Sequence, residues 1–374
     1  MNTADIIVIG AGIVGASTAY YLAKAGLKVT LIDRRKPVAG GSASQACAGG
    51  VRQQGRTLVE IPLAIYSINL WTHLEDELET DLEYRQDGMT VVTGDERQIP
   101  VLADRVQQEQ AQGLDIRLVQ NSDLQNLIPG LSPDMLAGSY CPTDGHANPM
   151  RAVNAFVMAA HRRDARTIWD CAAEGIVVEN NRLTAVRTDQ GDLACRHAVL
   201  AAGYWSRVIA ATAGIELPFE AIPLQMMVTA RRPHQLDQVL AWAGNGISLK
   251  QMPTGGFVIG GGWPGIGSPQ TYHTRLMPGS MAKSARTTVG LYPSLAGIPV
   301  LRAWAGIEAF CADEMQVIGP VPGVDGLIVA AGFSGHGFAI GPGVGRLLTD
   351  YLTTGEWSEM LAPFSIERFN PQIS

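Results

Sequence analysis

The sequence is poor in cysteine, and its cysteines form no recognisable pattern. There are five, namely Cys47, Cys141, Cys171, Cys195 and Cys311. Their number is odd and none belongs to a C-x-x-C pair, which argues against a disulfide framework and against an iron–sulfur site held by this chain. We therefore expect the protein to work in a reducing compartment.

Charge is also scarce, at 17% of residues, and the net charge is −7. The densest basic run is residues 34–36, and three cations are too few to attract a nucleic-acid duplex. The seven histidines are scattered without paired-ligand spacing, so the sequence indicates no metal site. A Gly-x-Ser-x-Gly elbow is missing as well, which leaves a serine hydrolase unsupported.

Long apolar runs are missing too. No stretch of about 18 apolar residues occurs, so the sequence predicts no transmembrane segment. Acidic Asp5 precedes the apolar residues 6–9, where a signal peptide would carry basic residues. We expect a cytoplasmic protein that reaches a membrane only peripherally, through partners.

The chain is rich in glycine and in apolar residues. It has 374 residues, of which 42 are glycine and 46% are hydrophobic. This length suits two domains, or one large domain with a cap, and allows a sizeable buried core. Abundant glycine with little charge is typical of an α/β enzyme with many close backbone approaches.

The first 33 residues have the order of a dinucleotide-binding unit. Residues 6–9 are apolar and β-branched, which predicts a buried parallel strand. Residues 10–15, GAGIVG, fit the G-x-G-x-x-G motif, a helical pattern then ends near Gly26, and residues 29–32 predict a second strand. The glycines allow a tight turn, close approach of a pyrophosphate and close helix–strand packing, and the helix N-terminus attracts the phosphates. The alternative is that the glycines form a turn with a packing role only, but the full order of strand, motif, helix, strand and acid disfavours it.

Asp33 ends the second strand, where a carboxylate can accept hydrogen bonds from both ribose hydroxyls. Its charge would repel a 2′-phosphate, so a nucleotide of the NADP type is disfavoured. The N-terminal unit therefore predicts an adenine dinucleotide.

Two later segments favour FAD over NAD. Residues 40–52, GGSASQACAGGVR, have side chains that are too small for a core element and too apolar for a plain linker. Their backbone and hydroxyl groups could lie against a flat, extended ligand. A flexible surface loop is the alternative. Residues 327–331 predict a strand, and the glycine-rich turn 332–338, GFSGHGF, leads into a helix. That second helix N-terminus would stabilise negative charge on a reduced flavin ring.

Three further elements can be read from the sequence. Asn148 as N-cap and Pro149 in the first turn predict a helix. Residues 198–203 predict a buried strand that ends in glycine, followed by Tyr204, Trp205 and Ser206. Residues 101–112 predict a polar helix.

The order of these motifs resembles the D-amino-acid oxidase superfamily of FAD enzymes, which includes glycine oxidase and the sarcosine oxidases. The resemblance runs from residue 6 to residue 352. Residues 304–308, WAGIE, and the turn 332–338 are most similar to the catalytic β subunits of heteromeric dehydrogenases acting on opines, proline or hydroxyproline. Heterotetrameric sarcosine oxidase is more distant. In that branch a separate α subunit and additional redox groups complete the complex.

The resemblance implies an α/β fold in which a Rossmann-like FAD-binding domain is interleaved with a mixed antiparallel-sheet substrate domain. We expect residues 1–81, 145–215 and 300–374 to form the FAD-binding domain, and residues 82–144 and 216–299 to form the substrate domain. The motifs and the resemblance together imply these cofactor-binding residues: Gly10, Ala11, Gly12, Ile13, Val14, Gly15, Asp33, Arg34, Ser42, Ala43, Ser44, Gly49, Gly50, Val51, Ala202, Gly203, Trp205, Gly332, Gly335, His336, Gly337 and Phe338.

The resemblance also implies that FAD is held noncovalently. Monomeric sarcosine oxidase-like enzymes carry a cysteine close to the C-terminal glycine-rich turn, and this chain has none there. Heterotetrameric sarcosine oxidase has a histidine on the helix around residues 149–153, which here holds Pro149, Met150 and Arg151. If a second flavin exists, we expect noncovalent FMN at a subunit interface.

The chain departs from the simple amino-acid oxidases at Glu308. Those enzymes place a carboxylate-binding arginine there, and an acid would repel a substrate carboxylate. Either another cation serves, with Arg52, Lys250, Arg275 and Arg302 as candidates, or the substrate presents a positive group. A glutamate that holds a structural arginine such as Arg302 is the alternative.

His336 lies between two glycines of the predicted flavin-facing turn. It either hydrogen-bonds the pyrimidine oxygen or is a spacer whose backbone makes the contact. Tyr272 either lines the substrate side or packs on the sheet. We take His336, Glu308 and Arg52 as the candidate catalytic residues.

The expected reaction is FAD-dependent oxidation of the C–N bond of a small secondary amine or amino acid, such as an opine, proline, D-hydroxyproline or sarcosine. The hypothesis is hydride transfer to flavin N5 from the carbon next to a neutral amine. The expected partners are this substrate and an α subunit. A stand-alone D-amino-acid dehydrogenase or glycine oxidase-like enzyme is the alternative. An NAD-dependent dehydrogenase and a noncatalytic flavoprotein subunit are rivals of a different kind.

Overall fold

The computed structural model of the protein describes residues 4–37 and 42–369. Gly40 and Gly41, which open the predicted flavin-side segment, lie outside the described residues. Two sheets of eight strands each organise the described chain, together with two sheets of two strands.

The strands, in chain order, are β1 (Ala4–Ile9), β2 (Val29–Ile32), β3 (Gly50–Val51), β4 (Met89–Thr93), β5 (Arg117–Gln120), β6 (Ala137–Cys141), β7 (Gly145–His146), β8 (Arg166–Ile168), β9 (Ala173–Glu179), β10 (Arg182–Thr188), β11 (Gly191–Leu200), β12 (Phe219–Thr229), β13 (Val239–Trp242), β14 (Ile247–Gln251), β15 (Phe257–Gly260), β16 (Ile266–Ser268), β17 (His273–Arg275), β18 (Val300–Cys311), β19 (Val317–Pro320) and β20 (Leu327–Ala331).

The α-helices are α1 (Ile13–Lys24), α2 (Ala43–Ala46), α3 (Ile61–Leu78), α4 (Ile99–Ala111), α5 (Asn121–Leu127), α6 (Pro149–His161), α7 (Trp205–Ala211), α8 (Pro278–Leu291) and α9 (Gly337–Thr354). Short 3₁₀ turns lie at Leu58–Glu60, Glu96–Gln98, Pro293–Leu295, Ala362–Phe364 and Ile366–Phe369.

The first sheet has the strand order β19-β20-β11-β1-β2-β8, with β10 joined to β11 and β9 to β10. β1 pairs in parallel with β2 and β11, and β20 pairs in parallel with β11. The carboxyl ends of these strands therefore meet at one edge, the usual ligand-binding edge of an open α/β sheet. Gly10, Asp33, Ala201 and Gly332 follow the four strands at that edge.

The second sheet has the order β18-β12-β15-β14-β13-β4-β6-β5. Its pairs are antiparallel except for β4 with β13. The predicted substrate segments, 82–144 and 216–299, contribute every strand of this sheet but β18. β18 lies within residues 300–374, which the sequence predicts to belong to the FAD-binding domain, yet it pairs along its length with β12. The division into domains stays a prediction.

The local predictions are confirmed where the sequence signal is strong. The buried strands 29–32 and 327–331 are β2 and β20, and the polar helix is α4. Asn148 caps α6 as expected, since its Oδ1 accepts hydrogen bonds from the backbone N–H groups of Met150 and Arg151 at 3.1 and 3.3 Å.

α9 packs against α1 with their backbones in close approach. Ser17 Oγ on α1 donates a hydrogen bond to the carbonyl oxygen of Gly341 on α9, at 2.9 Å. A Cβ atom on Gly345 would lie 2.6 Å from Ser17 Oγ and 2.7 Å from the backbone nitrogen of Thr18. α3 joins the same core, because Trp71 Nε1 donates to the carbonyl oxygen of Ala339 at 2.9 Å.

Among the described helices, none combines the length and the apolar character that crossing a membrane requires.

The α1–α9 contact predicts that Gly345→Ala destabilises the protein. The added methyl group would overlap backbone and side-chain atoms of α1, and such overpacking costs about 1–3 kcal/mol. Gly279→Ala is the matched control, because Gly279 also lies in a helix and a Cβ there would meet nothing within 4 Å. We expect it to be neutral or to stabilise by up to about 1 kcal/mol. Urea unfolding measures both, and equal midpoints for the two variants would contradict the packing argument.

Candidate active site

The described residues enclose a cavity of about 600 Å³ at the carboxyl edge of the first sheet. Its walls come from segments far apart in the chain: the loop after β1, the residues after β2, the 42–47 segment, the start of α7, β18 and the turn before α9. The volume is within the range of small-molecule and cofactor sites.

The loop after β1 has the backbone geometry that its glycines predict. Gly10 has a φ of +102°, and a Cβ there would lie 2.6 Å from the carbonyl oxygen of Ala201. A Cβ on Gly15 would lie 1.8 Å from the carbonyl oxygen of Gly10, so only glycine lets α1 approach the turn. Gly12 borders the cavity, with its Cβ position 3.1 Å from Ser44 Oγ.

Asp33 is fixed at the end of β2 by the backbone. Its Oδ2 accepts the N–H of Ala11 at 2.7 Å, and its Oδ1 accepts the N–H of Arg35 at 2.9 Å. Burial raises the pKa of Asp33 and these two hydrogen bonds lower it, with a net rise. Each carboxylate oxygen keeps a second lone pair, so the side chain can still accept from a ligand hydroxyl.

The 42–47 segment lies between α1 and β18. Ser44 Oγ accepts the backbone N–H of Ile13, the first residue of α1, at 3.1 Å. Trp304 Nε1 on β18 donates to the carbonyl oxygen of Ala46 at 2.9 Å. Ser42 forms an isolated parallel β-bridge with Ile307 of the same strand. The segment is therefore an anchored wall of the cavity and not a loose surface loop.

The turn before α9 closes the other end of the cavity. Gly332 and Gly335 have φ values of +73° and +85°, and a Cβ on Gly332 would lie 2.2 Å from the ring of Phe219. Gly335, Gly337 and Phe338 line the cavity. The N-terminus of this 18-residue helix thus presents the positive end of its dipole to the cavity.

Glu308 is the acid at this end of the cavity. Its Oε1 accepts the backbone N–H of Gly335 at 3.2 Å. The described part of the chain places no Lys, Arg or His within ion-pair distance of it. Burial raises the pKa of Glu308 to about 7, against the lowering effect of the Gly335 hydrogen bond.

The four cations that the sequence offers for binding a substrate carboxylate do not line the cavity. Arg302 and Arg275 are exposed, and six residues of strand separate Arg302 from Glu308, which is about 20 Å. Lys250 is buried and donates to the carbonyl oxygen of Ala147 at 2.9 Å. Arg52 donates to the carbonyl oxygen of Gln54 at 2.6 Å. The alternative in which Glu308 holds Arg302 is therefore wrong.

Three side chains form a stack along the cavity wall. The guanidinium carbon of Arg34 lies 3.1 Å from the ring centroid of Tyr272. Tyr272 stacks on Trp205 with a centroid distance of 4.9 Å and an interplanar angle of 16°. Trp205 Nε1 donates to the carbonyl oxygen of Pro269 at 3.1 Å. We name Arg34, Tyr272 and Trp205 the clamp stack; it joins the β16–β17 hairpin to the first sheet.

The structure groups most of the predicted cofactor residues but not all of them. Those that line the cavity are Gly10, Ala11, Gly12, Ile13, Val14, Asp33, Arg34, Ser42, Ala43, Ser44, Ala202, Gly203, Trp205, Gly332, Gly335, Gly337 and Phe338. Those that do not line it are Gly15, Gly49, Gly50, Val51 and His336. Of the candidate catalytic residues, Glu308 lines the cavity, whereas Arg52 and His336 do not.

Two contacts were not predicted from the sequence. The sequence predicts Tyr272 either on the substrate side or packed on the sheet; in the structure it lines the cavity as part of the clamp stack. No motif marks Glu60, yet its Oε2 lies 2.8 Å from Nδ1 of His336. The two residues of each contact are distant in sequence, and no local pattern marks such a pair.

The cavity suits an elongated nucleotide cofactor. Nε of Arg34 is buried without a hydrogen-bond partner, although Arg34 lines the cavity. A buried donor of this kind is usually satisfied, and a bound ligand would satisfy it. The glycine loop at the N-terminus of α1 offers backbone N–H groups to a phosphate, and Asp33 offers acceptors to a ribose.

Comparison with known proteins agrees with this geometry. A family model described as FAD dependent oxidoreductase matches residues 5–351. Sarcosine oxidase subunit beta from Arthrobacter sp is 26% identical over 377 residues, which cover 98% of this chain and 91% of that protein.

Solved structures with the same fold include L-proline dehydrogenase from P. horikoshii. It has a TM-score of 0.91 and 28% identity, and the match covers 99% of this chain and 98% of that chain. Glycine oxidase from Geobacillus kaustophilus has a TM-score of 0.90 at 23% identity, with 98% and 99% covered. The predicted fold class, the family resemblance and the FAD cofactor are confirmed by these findings.

The clamp stack predicts that Tyr272→Ala accelerates the release of FAD. Removing the ring opens the wall beside Arg34 and Trp205 and forfeits a cation–π contact and an aromatic stack, each worth about 0.5–1.5 kcal/mol. We expect release roughly 10-fold faster. The measurement is the rise of free-flavin fluorescence after dilution. Tyr272→Phe is the matched control, since it keeps the ring, and its release rate should stay near that of the wild type. Equal rates for all three proteins would show that the stack does not retain the cofactor.

Proposed function

Because this chain belongs to the family of FAD dependent oxidoreductases, we propose that it oxidises the C–N bond of a small secondary amine or amino acid. Glu308 binds the positively charged nitrogen of that substrate. Sarcosine oxidase subunit beta and L-proline dehydrogenase, by their names, act on compounds of this class. Opines, proline, D-hydroxyproline and sarcosine are the candidate substrates.

The position of Glu308 is the observation that carries this proposal. Glu308 is partly buried. A carboxylate shielded from water without a cationic partner is costly, and natural sites keep such a group where a ligand can pair with it. Glu308 lines the cavity at the turn before α9. An ammonium group on the substrate would complete the pair, whereas a substrate carboxylate would be repelled.

FAD would be held by the residues that already converge on the cavity. The loop at the start of α1 would hold the pyrophosphate, Asp33 the ribose, and the turn before α9 the ring. Bound FAD supplies the acceptor for the two electrons that leave the substrate as hydride. The chain itself contributes orientation, exclusion of water and control of the substrate proton.

The raised pKa of Glu308 brings its proton affinity closer to that of a substrate amine. A cationic amine must lose its proton before its lone pair can assist the oxidation. With a pKa of about 7, the carboxylate can take that proton on Oε2, the oxygen that Gly335 does not contact. A carboxyl with an ordinary pKa near 4 would be a much weaker acceptor at neutral pH.

The proposal has a more specific form, which the relatives favour. In it, this chain is the β subunit of a heteromeric dehydrogenase. Support comes from the name of the Arthrobacter protein, a subunit beta matched over 98% of this chain. In such a complex an α subunit, and FMN at the interface, would complete electron transfer. A stand-alone D-amino-acid dehydrogenase or glycine oxidase-like enzyme is the second candidate, and the shared fold with glycine oxidase favours it.

An anaerobic absorbance screen tests the proposal. The purified, FAD-loaded chain is mixed with sarcosine, proline, hydroxyproline isomers, D-amino acids and opines. We expect loss of the oxidised flavin band with at least one amine, because reduction needs only the site and no partner. Photoreduction is the control for a competent flavin. If light bleaches the flavin and no amine does, the chain is a noncatalytic flavoprotein subunit. Rapid bleaching that oxygen reverses would favour the stand-alone oxidase.

The role of Glu308 predicts a specific pH profile. As the pH falls through about 7 the carboxyl becomes protonated, and in that form it can neither pair with a cation nor take its proton. The second-order rate constant for flavin reduction should therefore rise with pH through about 7. Glu308→Gln should remove that limb and lower the rate constant roughly 100-fold or more.

Glu220→Gln is the matched control for this measurement. Glu220 is an exposed acid on β12, the strand that pairs with the strand of Glu308. It should keep both the wild-type rate constant and the wild-type profile. A Glu308→Gln enzyme that retained the limb near pH 7 would show that another group takes the proton.

A further inference from the structure

A buried ion network lies beside the turn before α9. Oε2 of Glu60 lies 2.8 Å from Nδ1 of His336, and Oε1 of Glu60 accepts from the guanidinium of Arg56. The exposed fraction of the side chain is 0% for Glu60, 1% for Arg56 and 15% for His336. One oxygen of the buried Glu60 carboxylate therefore contacts the segment before α3, and the other contacts the turn before α9.

The fold brings two helix starts together at this carboxylate. Glu60 immediately precedes α3, and His336 immediately precedes α9. α3 and α9 are joined by Ser67 Oγ, which donates to the carbonyl oxygen of Ala339 at 2.8 Å and accepts the N–H of Gly343 at 3.0 Å. A negative side chain is favoured at a helix N-terminus, and Glu60 lies near two of them.

Arg56 extends the network to the segment that leads into the cavity wall. Its Nε donates to the carbonyl oxygen of Arg52 at 2.9 Å. Arg52 follows β3, which pairs with β7. Through Arg56, the Glu60 carboxylate thus connects the turn before α9 with the chain that continues from residues 42–51.

The charges around His336 select one form of its ring. Burial would raise the pKa of Glu60, but Arg56 and the hydrogen bond from His336 bring it down to about 2, so Glu60 is an anion. Burial and the charge of Arg56 lower the pKa of His336 to about 4, with Arg52 contributing and Glu60 opposing. The ring is therefore neutral at pH 7. Because the Glu60 carboxylate can only accept a hydrogen bond, the proton of the His336 ring must lie on Nδ1.

We infer that Glu60 is a positioning residue, which fixes His336 as the neutral Nδ1–H tautomer and thereby sets the turn Gly335-His336-Gly337 against the cofactor cavity. This inference rests on the proposed function only in that the flavin ring is taken to lie at this turn. His336 itself does not line the cavity, whereas Gly335 and Gly337 do. The imidazole thus acts indirectly, by holding the backbone of residues 335–337 in place.

The network also determines the charge near the cavity. With Glu60 in place, the guanidinium of Arg56 is neutralised within hydrogen-bond distance. Glu60→Gln would leave that cation uncompensated next to the turn. A nearby positive charge favours the reduced, negatively charged flavin over the oxidised form. The glutamine amide can donate as well as accept, so it would no longer dictate where the ring carries its proton.

The first measurement uses the intact, FAD-loaded wild-type protein. Nitrogen NMR of histidine-labelled protein reports the tautomer of each ring, and His336→Gln identifies the signal. We expect the Nδ1–H form with no titration between pH 6 and 8. An Nε2–H ring, or a ring that titrates in that range, would overturn the inference without any Glu60 variant having to fold.

The second measurement compares two glutamate variants. For Glu60→Gln we expect a mixed tautomer signal and a higher flavin midpoint potential than in the wild type. Glu109→Gln is the matched control, because Glu109 is also buried and accepts from Gly55 N at 2.9 Å and from Arg105 Nε at 2.7 Å, without contacting His336. It should keep the wild-type tautomer and potential.

Two outcomes of that comparison would contradict the positioning role. One is a Glu60→Gln protein with the wild-type tautomer and potential. The other is a Glu109→Gln protein that changes as much as Glu60→Gln, which would indicate general loosening of the buried network. Neither readout needs an amine substrate, so a failure of the proposed reaction would be seen separately, in the anaerobic screen.

Discussion

The close packing of α9 on α1 determines where the two ends of the chain meet. Gly341 and Gly345 present bare backbone to Ser17 and Thr18, and Ser17 Oγ bonds the carbonyl oxygen of Gly341 at 2.9 Å. Because α1 and α9 pack this closely side by side, their first turns lie next to each other and both line the cavity. The glycine-rich turn after β1 and the turn at residues 332–338 depend on this contact for their relative position, although more than 300 residues separate them.

The acids around the cavity differ in what compensates them, and this difference separates their roles. Asp33 accepts two backbone N–H groups, and Glu60 has Arg56 and His336. Glu308 has one backbone N–H. Arg56 and His336 bring the pKa of Glu60 down to about 2 despite its burial, so Glu60 is a structural anion. Burial leaves the pKa of Asp33 raised in spite of its two hydrogen bonds. Glu308 is partly buried and has little compensation, so its pKa is raised to about 7 and the carboxyl remains available to a ligand.

Local patterns were enough to predict the elements around the cavity. The β-branched run before GAGIVG, the N-cap at Asn148 and the glycine-rich turn before α9 each specify structure through residues that are neighbours in sequence. The membership of β18 in the second sheet could not be predicted in this way, because it depends on pairing with β12, more than 70 residues earlier. The clamp stack and the Glu60–His336 contact had no local signal for the same reason.

β18 connects the two halves of the site. As the edge strand of the second sheet, it supplies Trp304 to hold the carbonyl oxygen of Ala46 and, four residues later, Glu308 to the cavity. The groups that would hold the nucleotide lie on the first sheet, whereas the group proposed to select the substrate comes from the second. Substitutions on β18 can therefore change which amine is accepted while the glycine loop and Asp33 remain as they are. This separation is one physical reason why a single cofactor-binding sheet can serve enzymes with different substrates.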